Sequence, residues 1–259
     1  MNPRLDIVDL GRQPYREVLE LQRALRLDRL SGAAPHDMLL LVEHEPVYTL
    51  GRGTLATSLP VTIEELRARG AEVMEVERGG DVTWHGPGQL VGYPIIHLSQ
   101  HREDLHWYLR ALERSLIEAL EALGIAAERN PGRTGVWTRG RKIASIGIHV
   151  KQWVTLHGFA LNVAPDLAWF DAIVPCGIDG VEMTSVQREC PSDVSSTELW
   201  SLTSSAICAS LGQVFKLEPH RVPLGEHSAT TATFAAQALN NDGRGVFGTL
   251  AIAPPTGNP

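Results

Sequence analysis

The sequence predicts a mixed α/β fold of the α+β class, in which helices pack on sheets that contain hairpins. The clearest element is a helix from about Glu103 to Leu123, because leucines recur along one stripe at helical spacing. Directly after this helix the hydrophobic residues alternate with a period of two, which is typical of strands. Strands that follow one another as hairpins argue against a doubly wound parallel sheet, whose strands alternate with helices.

The other elements follow from local patterns of capping, turn and hydrophobic residues. A glycine ends the first helix, and a Thr-x-x-Glu capping box opens the second. The sequence Arg-Gly-Arg at residues 139–141 predicts a tight hairpin. In chain order we expect a helix at residues 14–31 closed by Gly32, a buried strand at Met38–Val42, a helix opened by Thr62 and Glu65 and closed by Gly70, strands at Glu72–Val76, Val136–Thr138, Lys142–Val150 and Trp153–Val163, and a helix at Ser196–Phe215.

The length and the composition along the chain predict one domain followed by a tail. A chain of 259 residues is long enough to bury a hydrophobic core without disulfides or metals. From about Glu226 onward charges become sparse, while Gly, Ala, Thr, Asn and Pro accumulate without periodicity. We therefore expect a catalytic domain at residues 1–220 and a flexible or loosely packed tail at residues 221–259.

The charge balance and the cysteine content exclude several classes of protein. The 23 basic and 30 acidic residues give a net charge of −7, which argues against a general binder of nucleic acid or of anionic membranes. The three cysteines are too few and too scattered for a disulfide framework. Asp6 and Asp9 stand where a signal peptide needs apolar residues, and no apolar run is long enough to span a membrane. We expect a reduced, soluble protein of the cytoplasm.

Nucleotide, hydrolase and metal motifs are absent from the sequence or incomplete. Gly51–Ala56 matches the G-x-G-x-x-A dinucleotide fingerprint, but no helix follows promptly, so a turn between strands is the better interpretation. The sequence has neither a Walker A segment nor a G-x-S-x-G elbow. His97 and His101 have no matching Cys, His or carboxylate pattern, so we expect no metal site.

Three segments concentrate unusual residues, and two neighbouring strand stretches in the second would suit an extended aliphatic ligand. Arg78–Gln89 contains four glycines, which let a backbone turn sharply and approach a ligand; a rigid turn around a packed tryptophan is the structural alternative. The second segment comprises Gly132–Trp137 and Arg141–Ile148, and Lys142 opens the strand in it. The backbone amides of its Ser-Ile-Gly sequence could donate to the carbonyl of a bound ligand. A parallel strand end at His157–Ala160 repeats small residues beside an apolar one, although alternating strand residues also simply form cores.

The third segment places a cysteine in a turn. Cys176 lies between Pro and Gly, so we expect it to be reachable, and a reactive thiol also needs nearby positive charge. We interpret Cys190 and Cys208 as small hydrophobic residues instead. Only three of the 23 basic residues are lysines, among them Lys142. Since arginine keeps its proton whereas lysine can lose it, a lysine in this chain invites a functional explanation.

A run of basic residues surrounds the second segment. Residues 129–165 contain no Asp or Glu, so this stretch could attract an acidic macromolecule, unless it is a local fluctuation of surface charge. The basic residues of this stretch are Arg129, Arg133, Arg139, Arg141, Lys142 and Lys151.

Together these segments resemble the lipoyl(octanoyl) transferases over about residues 5–215. The resemblance implies a single biotin/lipoate-ligase-like domain, with mixed β-sheets flanked by helices, that is monomeric and needs no cofactor. It implies that octanoyl moves from octanoyl-acyl carrier protein to a specific lysine of lipoyl domains, such as those of 2-oxoacid dehydrogenase E2 subunits and the glycine cleavage H protein. The matching motifs are HEPVYTLG at His44–Gly51, RGGDVTWHGPGQ at Arg78–Gln89, GRTGVW at Gly132–Trp137, RKIASIGI at Arg141–Ile148, HGFALNV at His157–Val163 and PCGI at Pro175–Ile178.

The resemblance also implies roles for individual residues. Cys176 matches the acyl-thioester nucleophile of the family, and Lys142 matches the partner that lowers the pKa of its thiol. The chemistry agrees, because a thioester donor and an amine acceptor require two acyl transfers, which a covalent cysteine intermediate separates. Backbone amides near Gly147 or Gly177 are candidate oxyanion donors. The implied substrate contacts are Arg78, Gly79, Gly80, Asp81, Val82, Thr83, Trp84, His85, Ser145, Ile146, Gly147, Gly158, Phe159 and Ala160, and the roles of His85, His149 and His157 stay open.

Two alternatives fit the same residues less well. An ATP-dependent lipoate or biotin ligase of the same fold would use Lys142 to hold an acyl-adenylate, and Cys176 would then be idle. A non-catalytic protein that binds acyl carriers or lipoyl domains would keep its full function after Cys176→Ala. The presence of both Cys176 and Lys142 favours the transferase.

Overall fold

The computed structural model of the chain describes residues 2–174, 180–190, 194–223, 225, 226 and 228–242. Its strands form one large and one small sheet, and helices cover them. The strands are β1 (Arg4–Gln13), β2 (Asp37–His44), β3 (Val47–Leu50), β4 (Glu72–Glu75), β5 (Thr83–His85), β6 (Gln89–Ile95), β7 (Glu128–Asn130), β8 (Arg133–Thr138), β9 (Arg141–Lys151), β10 (Val154–Asn162) and β11 (Glu218–Arg221). The helices are α1 (Tyr15–Ser31), α2 (Ile63–Ala68), α3 (Leu105–Ala122), α4 (Val186–Glu189), α5 (Ser196–Phe215) and α6 (Ala229–Asp242), and short 3-10 turns lie at Ala56–Ser58, Leu98–Gln100 and Leu167–Ala172.

The two sheets together give the mixed architecture that the sequence predicts. The large sheet has eight strands in the order β11-β1-β2-β6-β10-β9-β8-β7, and the small sheet has three in the order β4-β3-β5. In the large sheet β1 runs parallel to both of its neighbours, while the other pairs are antiparallel. The predicted α+β class is therefore confirmed, and the helices predicted from capping and periodicity are present at nearly the expected bounds.

The strands β8, β9 and β10 form two consecutive hairpins. Arg139 and Gly140 have φ of 49° and 77° and make the predicted turn between β8 and β9. Residues 152–153 reverse the chain again, so β10 runs antiparallel to β9, with Gly158 opposite Gly147. The expectation of a parallel strand end at residues 157–160 is therefore wrong, because a parallel neighbour needs a long crossover connection.

Helices pack on both faces of the large sheet. Side chains alternate across a strand, so successive residues of β2 enter different cores. Leu39 and Leu41 pack in the core that α3 and α5 cover, whereas Met38, Leu40 and Val42 pack in the core that α1 covers. The small sheet contributes to a third core around Trp84, and the site described below lies between the two sheets.

The C-terminal segment is more regular than the sequence predicts. Helix α6 falls in the expected loose tail, yet its Phe234 is buried in the core that α1 covers, and its Thr230 hydroxyl donates to the Asp28 carboxylate. A helix with so few large apolar residues gives too weak a periodic signal to be recognised. Residues 243–259 of the predicted tail lie outside the described residues, and the division near residue 220 stays a prediction. No helix in the described part of the chain is long and apolar enough to cross a membrane.

Candidate functional site

A buried arginine fixes the glycine-rich loop that precedes β5. The Arg78 guanidinium donates to the carbonyl oxygen of Thr49 at 2.6 Å, to its hydroxyl at 2.8 Å and to the carbonyl oxygen of Asp81 at 2.7 Å. Gly51 lets this loop come close, since a Cβ there would lie 2.3 Å from the carbonyl oxygen of Gly80. The first glycine of the apparent dinucleotide fingerprint therefore serves backbone packing, as the turn interpretation predicts.

Strands β9 and β10 present glycines to this loop and to β6. Gly147 pairs with Gly158, and a Cβ on Gly158 would lie 2.2 Å from the carbonyl oxygen of Gly92. A Cβ on Gly147 would lie 3.0 Å from the Arg78 Cδ. Larger side chains at these positions would separate the layers, so the glycines keep the loop close above the strands.

Loop and strands enclose a cavity of about 260 Å³. All the substrate contacts implied by the family resemblance line it, except Gly79, Val82 and Trp84. The lining residues are Arg78, Gly80, Asp81, Thr83, His85, Ser145, Ile146, Gly147, Gly158, Phe159 and Ala160, together with Tyr15, Val91, Tyr93, Gly132, Arg133, Thr134 and His157.

The three residues that do not line the cavity, Gly79, Val82 and Trp84, have structural roles instead. Val82 and Trp84 are buried in the core of the small sheet, where Trp84 stacks on Trp169 with ring centroids 5.7 Å apart. Because β5 alternates its side chains, Thr83 and the residue after Trp84 face the cavity instead. Gly79 donates its backbone N–H to the carbonyl oxygen of Ile148 at 2.9 Å and so ties the loop to β9. The packed-tryptophan alternative is correct for this part of the segment.

The cavity has one open and one buried end. Residues 132–134 at the start of β8 are exposed, while Tyr15, His85, Tyr93 and His157 are buried. Of the histidines whose roles the sequence leaves open, His85 and His157 thus line the cavity. Sequence reasoning does not find the two tyrosines. Each has the spacing of an ordinary core residue, and only the fold brings them to the cavity.

The histidines near the buried end are held neutral by their surroundings. Burial lowers the pKa of His85 to about 3 and that of His44 to about 4. The Nδ1 atom of His85 donates to the Gln89 Oε1 at 2.7 Å, which leaves Nε2 as an acceptor, and the ring stacks on Tyr15 at 5.8 Å. His44 Nε2 lies 2.7 Å from the hydroxyl of Tyr93. These groups present hydrogen-bonding atoms without adding charge to the cavity.

Lys142 lies in the interior of the protein and is not among the residues that line the cavity. It is 1% exposed, and its Nζ lies 5.7 Å from the centroid of the Trp137 ring, a cation–π distance. The backbone N–H of Lys142 donates to the carbonyl oxygen of Glu182 at 2.8 Å, and its backbone carbonyl oxygen accepts from the N–H of Thr184 at 2.9 Å. Gly135 leaves room for its stem, because a Cβ at that position would lie 2.9 Å from the Lys142 Cε. The sequence left open whether this side chain stands in solvent, and the structure places it inside.

Cys176, like Gly177, lies outside the described residues. The chain before it is anchored through Val174, whose N–H donates to the carbonyl oxygen of Ser58 at 2.9 Å; the Ser58 hydroxyl in turn donates to the Asp81 carboxylate. On the other side of the undescribed residues, the carbonyl oxygen of Glu182 accepts from the backbone N–H of Lys142, and Met183 forms a β-bridge with Lys142. Both flanks of the predicted nucleophile are thus attached to residues of the site.

Acidic residues from elsewhere in the chain pair with part of the expected basic stretch, and its role in attracting an acidic partner stays a prediction. Arg129 pairs with Glu113 at 2.9 Å, and Arg141 pairs with Glu189 at 2.6 Å, while Arg139 lies 3.7 Å from Glu189. Both carboxylates are about 1% exposed, so these pairs also hold β7 and β9 in place. A stretch of sequence without acidic residues can still pair with acidic residues that the fold brings beside it.

Comparison with known proteins agrees with this arrangement. The family model described as the lipoyl protein ligase A/B catalytic domain matches residues 14–207. The chain belongs to this family. It is 52% identical over 185 residues to an octanoyltransferase of Geobacter sulfurreducens, which covers 71% of this chain and 75% of that protein. It is 47% identical over 212 residues to an octanoyltransferase of Synechococcus elongatus, which covers 82% of this chain and 88% of that protein.

Solved structures share the fold at low sequence identity. A lipoate-protein ligase A bound with ATP superposes with a TM-score of 0.69 at 16% identity, covering 93% of this chain and 95% of that one. A bipartite lipoate protein ligase of Thermoplasma acidophilum gives 0.67 at 15% identity, covering 93% and 92%. The ligase-like fold expected from the resemblance is therefore confirmed, and the higher identities place the chain among the octanoyltransferases of the family.

Proposed function

We propose that this protein is an octanoyltransferase that moves an octanoyl group from octanoyl-acyl carrier protein to a specific lysine of a lipoyl domain. The observation that carries the proposal is the cavity, in a chain about half identical to octanoyltransferases. Its lining residue Thr134 is followed by Gly135, whose Cβ position lies 2.9 Å from the Cε atom of the buried Lys142. Val91, Ile146 and Phe159 give it apolar walls, and small residues leave space between them. Such a lining favours an aliphatic chain over a polar metabolite.

Cys176 is the nucleophile of the proposed reaction, and Lys142 exchanges the proton. The Cys176 thiolate attacks the thioester carbonyl of the donor, the carrier sulfur leaves, and the Lys142 ammonium gives it a proton. The amine of the acceptor lysine then attacks the new thioester. Its proton passes to the neutral Lys142, and the Cys176 thiolate is released with the ammonium restored. An amide N–H beside Gly147, which lines the cavity, is the candidate donor to the oxyanion.

The acceptors that fit this chemistry are the lipoyl domains of 2-oxoacid dehydrogenase E2 subunits and the glycine cleavage H protein. In this proposal the enzyme acts as a monomer in the cytoplasm, needs no cofactor or metal, and binds neither nucleic acid nor membranes. The exposed residues 132–134 mark the opening through which a carrier-bound acyl chain would enter.

The mechanism is tested by intact mass after the protein is mixed with octanoyl-acyl carrier protein in the absence of ATP. We expect one octanoyl adduct that hydroxylamine releases and that Cys176→Ala abolishes. Cys190→Ala is the matched control, because Cys190 is a free and half-buried thiol, and it should keep the adduct. Acceptor modification that requires ATP and free octanoate would indicate a ligase. Carrier binding without either reaction would indicate a binding protein.

A further inference from the structure

The start of strand β9 is held by a chain segment that follows Cys176 in the sequence. The backbone N–H of Lys142 donates to the carbonyl oxygen of Glu182 at 2.8 Å, and the N–H of Thr184 donates to the carbonyl oxygen of Lys142 at 2.9 Å. Met183, between these two residues, forms a parallel β-bridge with Lys142. Two backbone hydrogen bonds add little net stability, because water competes for the same groups, so a bridge this short gains from side-chain support.

Glu189 supplies that support from the single turn of helix α4. Its N–H donates to the carbonyl oxygen of Ser185 at 3.1 Å, which brings the side chain back to the residue before the turn. There the Thr184 hydroxyl donates to the Glu189 Oε1 at 2.6 Å. The Nη2 atom of Arg141, the residue before Lys142, pairs with the same oxygen at 2.6 Å. One carboxylate oxygen therefore joins the start of β9 to the segment that follows Cys176.

The contacts of Glu189 are those of a buried charge with few partners. Its side chain is 1% exposed, whereas that of Arg141 is 32% exposed. The other carboxylate oxygen, Oε2, accepts no hydrogen bond among the described residues, and the Arg139 Nη1 atom lies 3.7 Å from it. A buried carboxylate is stable only with a counter-charge and hydrogen bonds, so the positions of Arg141 and Thr184 relative to each other are constrained.

We propose that Glu189 is a positioning residue, which holds Lys142 in place for its exchange of protons beside Cys176. The proposal rests on the proposed function and extends it to the residues that support the proposed catalytic pair. Glu189 is not among the residues that line the cavity, so it acts through the backbone around Lys142 and not on the substrate. Without it the two segments can shift against each other, and a displacement of about 1 Å in a reacting group costs about a hundredfold in rate.

The first test is Glu189→Ala, measured by the rate at which octanoyl-acyl carrier protein forms the octanoyl adduct. We expect the rate at saturating donor to fall by about a factor of ten to a hundred. The donor concentration at half saturation should stay within about threefold of wild type, because the residues that line the cavity are unchanged. A change in half saturation alone would overturn the proposal.

Asp37→Ala is the matched control. Asp37 is another buried carboxylate that pairs with an arginine, Arg29 at 2.9 Å, and it does not line the cavity. Both variants are measured at one temperature, well below their unfolding midpoints. The saturating rate of Asp37→Ala should stay within about threefold of wild type, since the loss of a buried ion pair elsewhere does not move Lys142. Equal falls in the two variants would refute the positioning role.

A second set of variants keeps the carboxylate and changes the hydroxyl that it binds. Thr184→Val removes the hydroxyl and keeps the shape of the side chain, whereas Thr184→Ser keeps the hydroxyl. We expect the saturating rate to fall at least about fivefold in Thr184→Val and to stay within about twofold of wild type in Thr184→Ser. Equal rates in these two variants would contradict the proposal, and this comparison decides the question if Glu189→Ala does not fold.

Failure of the positioning role differs in its result from failure of the proposed function. An octanoyl adduct in the wild-type protein, formed at the same rate in Glu189→Ala, would refute the role of Glu189 and leave the octanoyltransferase intact. Absence of the adduct in the wild-type protein would refute the proposed reaction, and the positioning role with it.

Discussion

Gly135→Ala should inactivate the protein by moving Lys142, while a glycine in the same hairpin provides the control. Gly135 has φ of +125°, and a Cβ there would lie 2.6 Å from the carbonyl oxygen of Ala144 and 2.9 Å from the Lys142 Cε. Gly140 has φ of +77° and nothing within 4 Å of its Cβ position. Both substitutions introduce left-handed strain, but only the first creates a steric overlap.

The magnitudes follow from these distances. The strain common to both variants is about 1–2 kcal/mol, which lowers the Tm by about 5 °C in a chain of this size. In Gly135→Ala the contact of 2.9 Å falls about 0.5 Å short of an ordinary 3.4 Å contact. The backbone carbonyl of Ala144 cannot retreat within its strand, so the Lys142 stem must shift by about 0.5–1 Å. A displacement of about 1 Å in a reacting group costs about a hundredfold in rate.

The assay is octanoyl transfer from acyl carrier protein to a lipoyl domain, at a temperature well below both unfolding midpoints. We expect kcat to fall by about a factor of ten to a hundred in Gly135→Ala and to stay within about threefold of wild type in Gly140→Ala. Equal activity of the two folded variants would refute the reasoning, because the position of Lys142 would then not limit the reaction.

Three other predictions concern the proton exchange and two buried polar groups. Lys142→Arg keeps the positive charge but blocks proton exchange, so we expect kcat to fall at least about a hundredfold, and near-normal turnover would remove the acid–base role. Asp37→Asn removes the carboxylate that pairs with the buried Arg29 at 2.9 Å. Urea unfolding at pH 7 should therefore show a free energy of unfolding lower by about 3–5 kcal/mol, and a decrease below about 1 kcal/mol would contradict this. Burial lowers the pKa of His44 to about 4, below the unfolded value of about 6.5, so stability is full above pH 6.5 and should fall by up to about 3 kcal/mol as the pH drops to 4. His44→Gln should reduce that slope without abolishing it, because the lowered pKa of His85 acts in the same direction, and an unchanged slope would contradict the role of His44.

Local signals predict the helices well because each boundary has its own chemical cause. Thr62 and Glu65 form both hydrogen bonds of the expected capping box, and Gly32 ends α1 with φ of +84°. Helix α6 is different, since its position depends on Phe234 reaching the core beside α1, a contact more than 200 residues distant along the chain. Local sequence patterns do not predict such a long-range contact.

Only part of the candidate site could be predicted from the sequence. The glycine-rich loop and the strand segments were recognisable because their composition is unusual. Which side chains face the cavity depends on the pleat of β5, and this separates Thr83 from Trp84 although the two are neighbours. Tyr15 reaches the cavity from α1, far away in the sequence, and nothing in its local pattern distinguishes it from a core residue. The sequence also does not reveal that Glu113 and Glu189 pair with part of the basic stretch at residues 129–165, since they approach it only in the folded chain.

A continuous chain of buried hydrogen bonds joins His85, which lines the cavity, to the backbone of Lys142. His85 donates to Gln89 at 2.7 Å, and Gln89 donates to the Asn162 side chain at 2.9 Å. Asn162 donates to the carbonyl oxygen of Thr184, also at 2.9 Å, and the N–H of Thr184 donates to the carbonyl oxygen of Lys142. Each buried amide has its partners within this chain, so a shift at one end would leave a polar group unsatisfied at another. His85, which lines the cavity, and the backbone that carries Lys142 are therefore held in place by the same network.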